Sequence, residues 1–203
     1  MEGMSRLLIS LTLLAAPIFG QALSQGEHDY AVSALHGTRK QFLDVLGPLS
    51  EAQMKWKPAP NAWSIAEVAE HLVVSEDFLP AIVTKMMAAP ATPDKKKANP
   101  RETDYMLIKV LPVRDKKAQA PEPLKPTGRY PNKAALVNGF RTARDRNITY
   151  VRETNDDLRV HFSPHPVFGE LDGLQWYILM AGHSERHINQ MKEVMATPGF
   201  PAK

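Results

Sequence analysis

Near the end of the chain the stretch "GHSERHINQMKEV", Gly182 to Val194, sets two histidines four residues apart in a sequence that has only seven. On a helix that spacing puts both imidazoles on one face, where they can share a metal ion. The stripe that contains them reads Trp176, Leu179, Met180, His183, His187, Gln190, Met191 and Val194, in steps of three and four, so His183 and His187 point inward. A buried imidazole without a partner costs on the order of 1–3 kcal/mol, so some group must answer each of them. His71, seven residues after the best N-cap in the chain and also on an inward face, is the available third ligand. Three neutral imidazoles suit zinc, nickel, iron or copper, and they leave coordination positions for water or substrate.

The other candidates compete poorly. "HSERH" is not the zinc-protease pattern, because Glu185 lies two residues after the first histidine, roughly 200° around the helix, and faces solvent. His161 and His165 in "HFSPHP" are also four apart, but Pro164 and Pro166 forbid the helix that would align them. His28 and His36 read as surface or internally satisfied residues. Glu67, one turn before His71, could act as a base, but a capping role fits it better. Gln190 could orient a ligand or a bound water, or simply bond between helices. No convincing general base emerges.

Four helical stripes must position these residues. The first runs from Glu27 to Leu49 with Ala31, Leu35, Thr38, Phe42, Val45, Leu46 and Leu49 inward, closed by Gly47-Pro48. The second starts at a capping box, Ser64 with Glu67, and a Trp63–Val68 staple; it carries Val68, His71, Leu72, Ser75 and Leu79, and Pro80 should kink or divide it. The third follows the N-cap Asn132 with Val137, Phe140, Arg144, Ile148 and Val151, and the fourth follows Asp172 with Gln175 at the capping-box position. Between Pro90 and Pro131 lie eight of the seventeen prolines and ten Lys or Arg against five Asp or Glu. That composition predicts an ordered loop over one end of the bundle, anchored by "YMLIKVLPV", and no fifth helix. The fold class expected is therefore all-α, a four-helix bundle.

At 203 residues, with 43% hydrophobic and 23% charged residues, the chain fits one soluble domain, residues 23–203. The local surplus of positive charge near "DKKK" lacks interleaved aromatics, so no nucleic-acid partner is expected. Residues 1–22 read as a signal peptide: Arg6, a fourteen-residue apolar run interrupted by Pro17, then Gly20 and Ala22. The run is short of the roughly twenty residues a membrane span needs, so no stable membrane insertion is expected after cleavage, and the predicted location is secreted or periplasmic. The absence of cysteine excludes a disulfide framework and a thiol nucleophile.

The segments "LSEAQMKWKPAPNAWSIAEVAEHL", "APEPLKPTGRYPNKAALVNGFRTARD" and "HPVFGELDGLQWYILMAGHSERHINQM" resemble the DinB-like superfamily of metal-binding four-helix bundles (DinB/YfiT-like). The resemblance implies that His71, His183 and His187 bind one divalent metal, with zinc, nickel, manganese or iron as candidates. It also implies an up-down-down-up arrangement with a long crossover, residues 90–131, between helices two and three. The activities it implies are metal-dependent hydrolysis of a small-molecule substrate, or transfer or isomerisation with a low-molecular-weight thiol. Such thiols are cytosolic, so export favours hydrolysis. A homodimer is compatible with this frame. Three readings stay open at this point: a metal-dependent enzyme, a metal-binding protein without catalysis, and a bundle with structural histidines.

Overall fold

The computed structural model describes residues 23–115 and 118–202; the expected signal peptide lies outside the described residues. Among the described residues six α-helices follow in chain order: α1 (Gln25–Leu46), α2 (Glu51–Lys55), α3 (Ile65–Met87), α4 (Pro100–Lys109), α5 (Lys133–Glu153) and α6 (Gly173–Met195). A two-stranded antiparallel hairpin, β1 (Phe162–His165) with β2 (Gly169–Asp172), joins α5 to α6.

Three of the four long helices start where the capping chemistry predicts; α1, expected from Glu27, starts at Gln25 behind a Ser24–Glu27 capping box and ends at Leu46, not Leu49. Ser64 Oγ accepts from the Glu67 amide and Glu67 answers the Ser64 amide. Asn132 caps α5, and Asp172 with Gln175 completes a second box at α6. The directions follow from the contacts. Val73 meets Gly139 while Glu76 meets Arg144 and Asn147, so α3 and α5 run parallel. Arg159 joins Glu27 of α1 to the α6 cap Asp172, and Arg144 joins Thr38 to Ser184, so α1 and α6 run parallel as well. His28 meets Val151 and Thr38 meets Arg144, so α1 opposes α5. The bundle is all-α and up-down-down-up, with residues 90–131 crossing over between the two parallel helices.

The apolar core divides into two halves along the bundle axis. One gathers Leu35, Leu79, Val83, Ile148 and Trp176 through Ala181. The other gathers Phe42, Ile65, Leu72, Phe140, Ile188 and Met191, with Phe42 and Phe140 stacked 3.9 Å apart. Between them every long helix contributes a polar residue: Thr38, Glu76, Arg144 with Asn147, and Ser184, all buried.

Pro80 does not divide α3, which runs unbroken to Met87. A proline leaves the carbonyl four residues earlier without its helical donor. That carbonyl belongs to Glu76, and Asn147 Nδ2 from α5 donates to it at 2.9 Å, so the neighbouring helix supplies the missing bond.

The crossover departs from expectation in two ways. It contains a ten-residue helix, because Pro100 takes the first helical position, where its missing N–H costs nothing, and no further proline follows until Pro112. It also runs along the flank of α6 and not over one end of the bundle. Gln175 donates to the Pro100 carbonyl, Arg186 to the carbonyls of Leu111 and Val113, and Arg114 to Glu193. A Cβ on Gly182 would sit 2.0 Å from the Leu107 carbonyl oxygen, so only glycine allows α4 to lie this close. With α4 on its outer side, α6 is buried on all faces from Gly173 to Gly182, where the sequence suggested a single inward stripe.

Candidate metal centre

His71 projects from α3, and His183 and His187 from adjacent turns of α6, into the crevice between the two antiparallel helices. One ligand nitrogen from each lies within 4.8 Å of the others. His71 Nε2 is 3.1 Å from His183 Nε2, and the ring centroids are 4.4–5.0 Å apart. The structure thus brings together all three residues singled out in the sequence.

What holds each ring is more informative than the cluster itself. His71 Nδ1–H donates to the Leu124 carbonyl at 2.8 Å, and His187 Nδ1–H donates to Gln190 Oε1 at 2.8 Å. Fixing the proton on Nδ1 leaves each Nε2 as a bare lone pair, the form a metal takes. His183 Nδ1 is buried and has no partner among the described residues. Burial lowers the pKa of all three, His183 well below the ordinary value and His187 to about 3, with the neighbouring imidazoles adding to the effect for these two. Three neutral nitrogens, two of them oriented by outer acceptors, fit a divalent cation as three of its ligands.

The crossover supplies the outer layer. Leu124 is placed by Glu70, the residue just before His71, whose buried carboxylate accepts from the Thr127 amide at 2.8 Å, the Gly128 amide at 2.9 Å and the Arg129 amide at 3.3 Å. Gly128 sits at φ +77°, the left-handed region that favours glycine, and this turns its amide toward the carboxylate. On the other side Arg114 Nη1 reaches Gln190 Oε1 at 3.4 Å. Pro112, Val113, Arg114, Asn189 and Glu193 line a shallow, open depression of about 310 Å³ on the surface there. Sequence reasoning missed Glu70 and Leu124; the one signal was an acidic residue on a helix interior, buried at 4% exposure and requiring a partner.

The remaining candidates fall elsewhere. Glu67 has one oxygen on the Ser64 cap and the other on Lys57. His161 and His165 belong to the hairpin region, where His165 Nδ1 accepts from the Val167 and Phe168 amides. His28 is satisfied by the Val151 carbonyl, and His36 is exposed beside Arg152. Glu185 is partly exposed.

The family model for the DinB superfamily matches residues 34–191, a span that contains every element named above from α2 through the histidines of α6. The chain belongs to the DinB superfamily. Within reach of this DinB-superfamily chain is the uncharacterized protein YuaE of Bacillus subtilis, 26% identical over 164 residues that cover 80% of this chain and 96% of YuaE. Among solved structures the chain is similar to YfiT from Bacillus subtilis, described as a probable metal-dependent hydrolase with an unusual four-helix bundle topology. That likeness has a TM-score of 0.54 at 15% identity and covers 86% of this chain and 89% of YfiT. The four-helix bundle protein TT2238 is 21% identical with a TM-score of 0.48, covering 82% of this chain and 98% of its own.

Proposed function

We propose that this DinB-superfamily protein is an exported, divalent-metal-dependent hydrolase of a small-molecule substrate, with His71, His183 and His187 as the metal ligands. The observation that carries the reading is the pair of outer hydrogen bonds, Leu124 to His71 and Gln190 to His187, which present bare Nε2 atoms to a common point. The likeness to YfiT supports the same assignment. When bound, a divalent ion would supply Lewis-acid polarisation of water or of a substrate oxygen. The chain's own residues hold the ligand geometry and shield it: the Trp63 ring lies 5.3 Å from His71, and the crossover closes the side facing Leu124. Every carboxylate oxygen of Glu67, Glu70 and Glu76 along α3 already accepts a hydrogen bond from within the chain. Export rests on residues 1–22 and places the reaction away from cytosolic thiols, in favour of hydrolysis.

The test is elemental analysis of protein purified without a histidine tag, followed by calorimetric titration of the apo form with zinc, nickel, manganese and iron. One divalent ion per chain is expected. Replacing any one of the three histidines with alanine should weaken binding by orders of magnitude, while His165→Ala should leave it unchanged. Binding no tighter than millimolar, or a His71→Ala variant that binds as wild type does, defeats the reading. Intact mass of the protein from its native compartment should show loss of the first 22 residues.

A further inference from the structure

Gln190 stands three residues after His187 on α6, and its side-chain amide is the outer partner of that histidine. An amide carries an acceptor oxygen on one side and a donor NH2 on the other, and the two are nearly alike in size, so shape alone does not decide which one faces a neighbour. Here each orientation selects a different form of His187. With Oε1 turned to the ring, the proton must sit on Nδ1 and the ring Nε2 keeps its lone pair. With the NH2 turned to the ring, Nδ1 must accept, the proton sits on the ring Nε2, and the atom facing His71 and His183 can no longer ligate.

The neighbours of Gln190 act on one side of the amide only. Arg114 Nη1 donates to the same Oε1 at 3.4 Å, while the amide NH2 has no acceptor among the described residues. A guanidinium has five N–H donors and no acceptor, so a reversed amide would set donor against donor at Arg114. Arg114 is itself held by Glu193, one turn further along α6, whose carboxylate accepts from its Nε at 2.8 Å. With its side chain only 15% exposed, the fork is fixed against the helix that carries the ligand.

We propose that Arg114 is a positioning residue that acts through Gln190: as a donor-only partner it locks the amide with Oε1 toward His187, and so keeps the His187 proton on Nδ1 and its Nε2 open to a cation. The consequence for metal binding rests on the assignment of His187 as a ligand, whereas the tautomer is a property of the metal-free chain. The crossover thereby holds two of the three rings by different means. Leu124 fixes His71 with a backbone carbonyl that no substitution removes, and Arg114 fixes His187 through a side chain that can be replaced.

The experiment is long-range proton–nitrogen NMR of the histidine rings in the metal-free full chain at about pH 7.5, which separates the two neutral tautomers by their nitrogen shifts, with H187A to assign the signal. In wild type His71 and His187 are both expected as Nδ1–H. In R114A the His187 signal should move toward the Nε2–H form with His71 unchanged, and zinc affinity should fall roughly 10–100-fold. Adding Q190E to R114A should return His187 to Nδ1–H and restore the affinity, because either oxygen of a carboxylate accepts. A crossover merely loosened by loss of Arg114 would instead disturb His71, whose acceptor lies on the same segment, and Q190E would not repair it. Either of those results overturns the proposal, as does a His187 that stays wholly Nδ1–H in R114A. The expected R114A and rescue spectra in a protein that binds no zinc would remove the metal assignment and leave the orienting role of Arg114 in place.

Discussion

Two polar clusters lie near one another on α3 and α6, one at the centre of the four helices and one in the crevice between these two, and they are built on opposite rules. At the lower one Arg144 uses all five of its N–H groups. Glu76 takes two, at 2.8 and 2.5 Å, and Leu35 O, Thr38 Oγ1 and Ser184 Oγ take the rest. Asn147 completes Glu76, and every long helix contributes. At the upper one three uncharged rings converge, two of them with lone pairs turned inward, and His183 has a nitrogen with no partner among the described residues. Opposite charges with complete hydrogen bonding have nothing left to bind. Like acceptors facing one another are unfinished without a cation. The difference separates a fully buried cluster that fixes helix register from a half-buried one with acceptor capacity to spare.

The comparison can be broken most directly at its structural end. Arg144→Leu alone leaves the Glu76 carboxylate buried without its partner and should cost about 3–5 kcal/mol in denaturant unfolding. The double change Arg144→Leu with Glu76→Leu should recover most of that loss. His183→Leu in the apo protein should cost far less, and similar losses for Arg144→Leu and His183→Leu would erase the distinction. Chelation comes next. Metal held only by the folded state adds about 2.7 kcal/mol at a hundredfold excess over its dissociation constant. Chelator should therefore lower the melting temperature of wild type and leave that of His187→Ala where it is.

Acid should act on the two clusters unequally. The folded-state pKa of His187 lies near 3, below its ordinary value near 6.5, so the unfolded chain takes up a proton that the folded chain refuses. Apo stability should be complete above about pH 6.5 and fall on the order of 1 kcal/mol per pH unit below it. His71 and His183 shift in the same direction. The slope should flatten in His187→Ala, measured by denaturant melts at pH 7 and 5. Smaller still is the effect of Glu70→Gln, which removes the charge that gathers the 127–129 amides and so loosens Leu124 behind His71. Metal affinity should fall roughly 10–100-fold with the fold intact, and an unchanged affinity would show that the crossover does not orient the ligand. At the smallest end, Gln190→Glu puts a carboxylate behind His187, makes its Nε2 a stronger donor, and should tighten zinc by less than about tenfold.

The histidine cluster was legible because side-chain identity and helical spacing are local properties: His183 and His187 four apart, His71 downstream of a capped start, and Arg144 on the same stripe as Phe140 and Ile148. What orients them was not. Leu124 contributes a backbone carbonyl, which every residue has, and its usefulness depends on contacts with Glu70 that no spacing reveals. The α4 helix was hidden by proline content, a composition signal that overlooks how harmless Pro100 is at a first turn. α2 and the hairpin were also missed, the first because five residues are too short for periodicity, the second because its prolines argued only against a helix.

The close approach of His71 to His183 joins residues 112 apart in the chain. During synthesis His71 emerges long before its partners, and until residue 183 of α6 has been added a nascent chain offers an ion only one of the three imidazoles. A protein truncated before Gly182 keeps a single ligand of the set. An ion held by all three histidines would therefore be acquired late, by the finished fold.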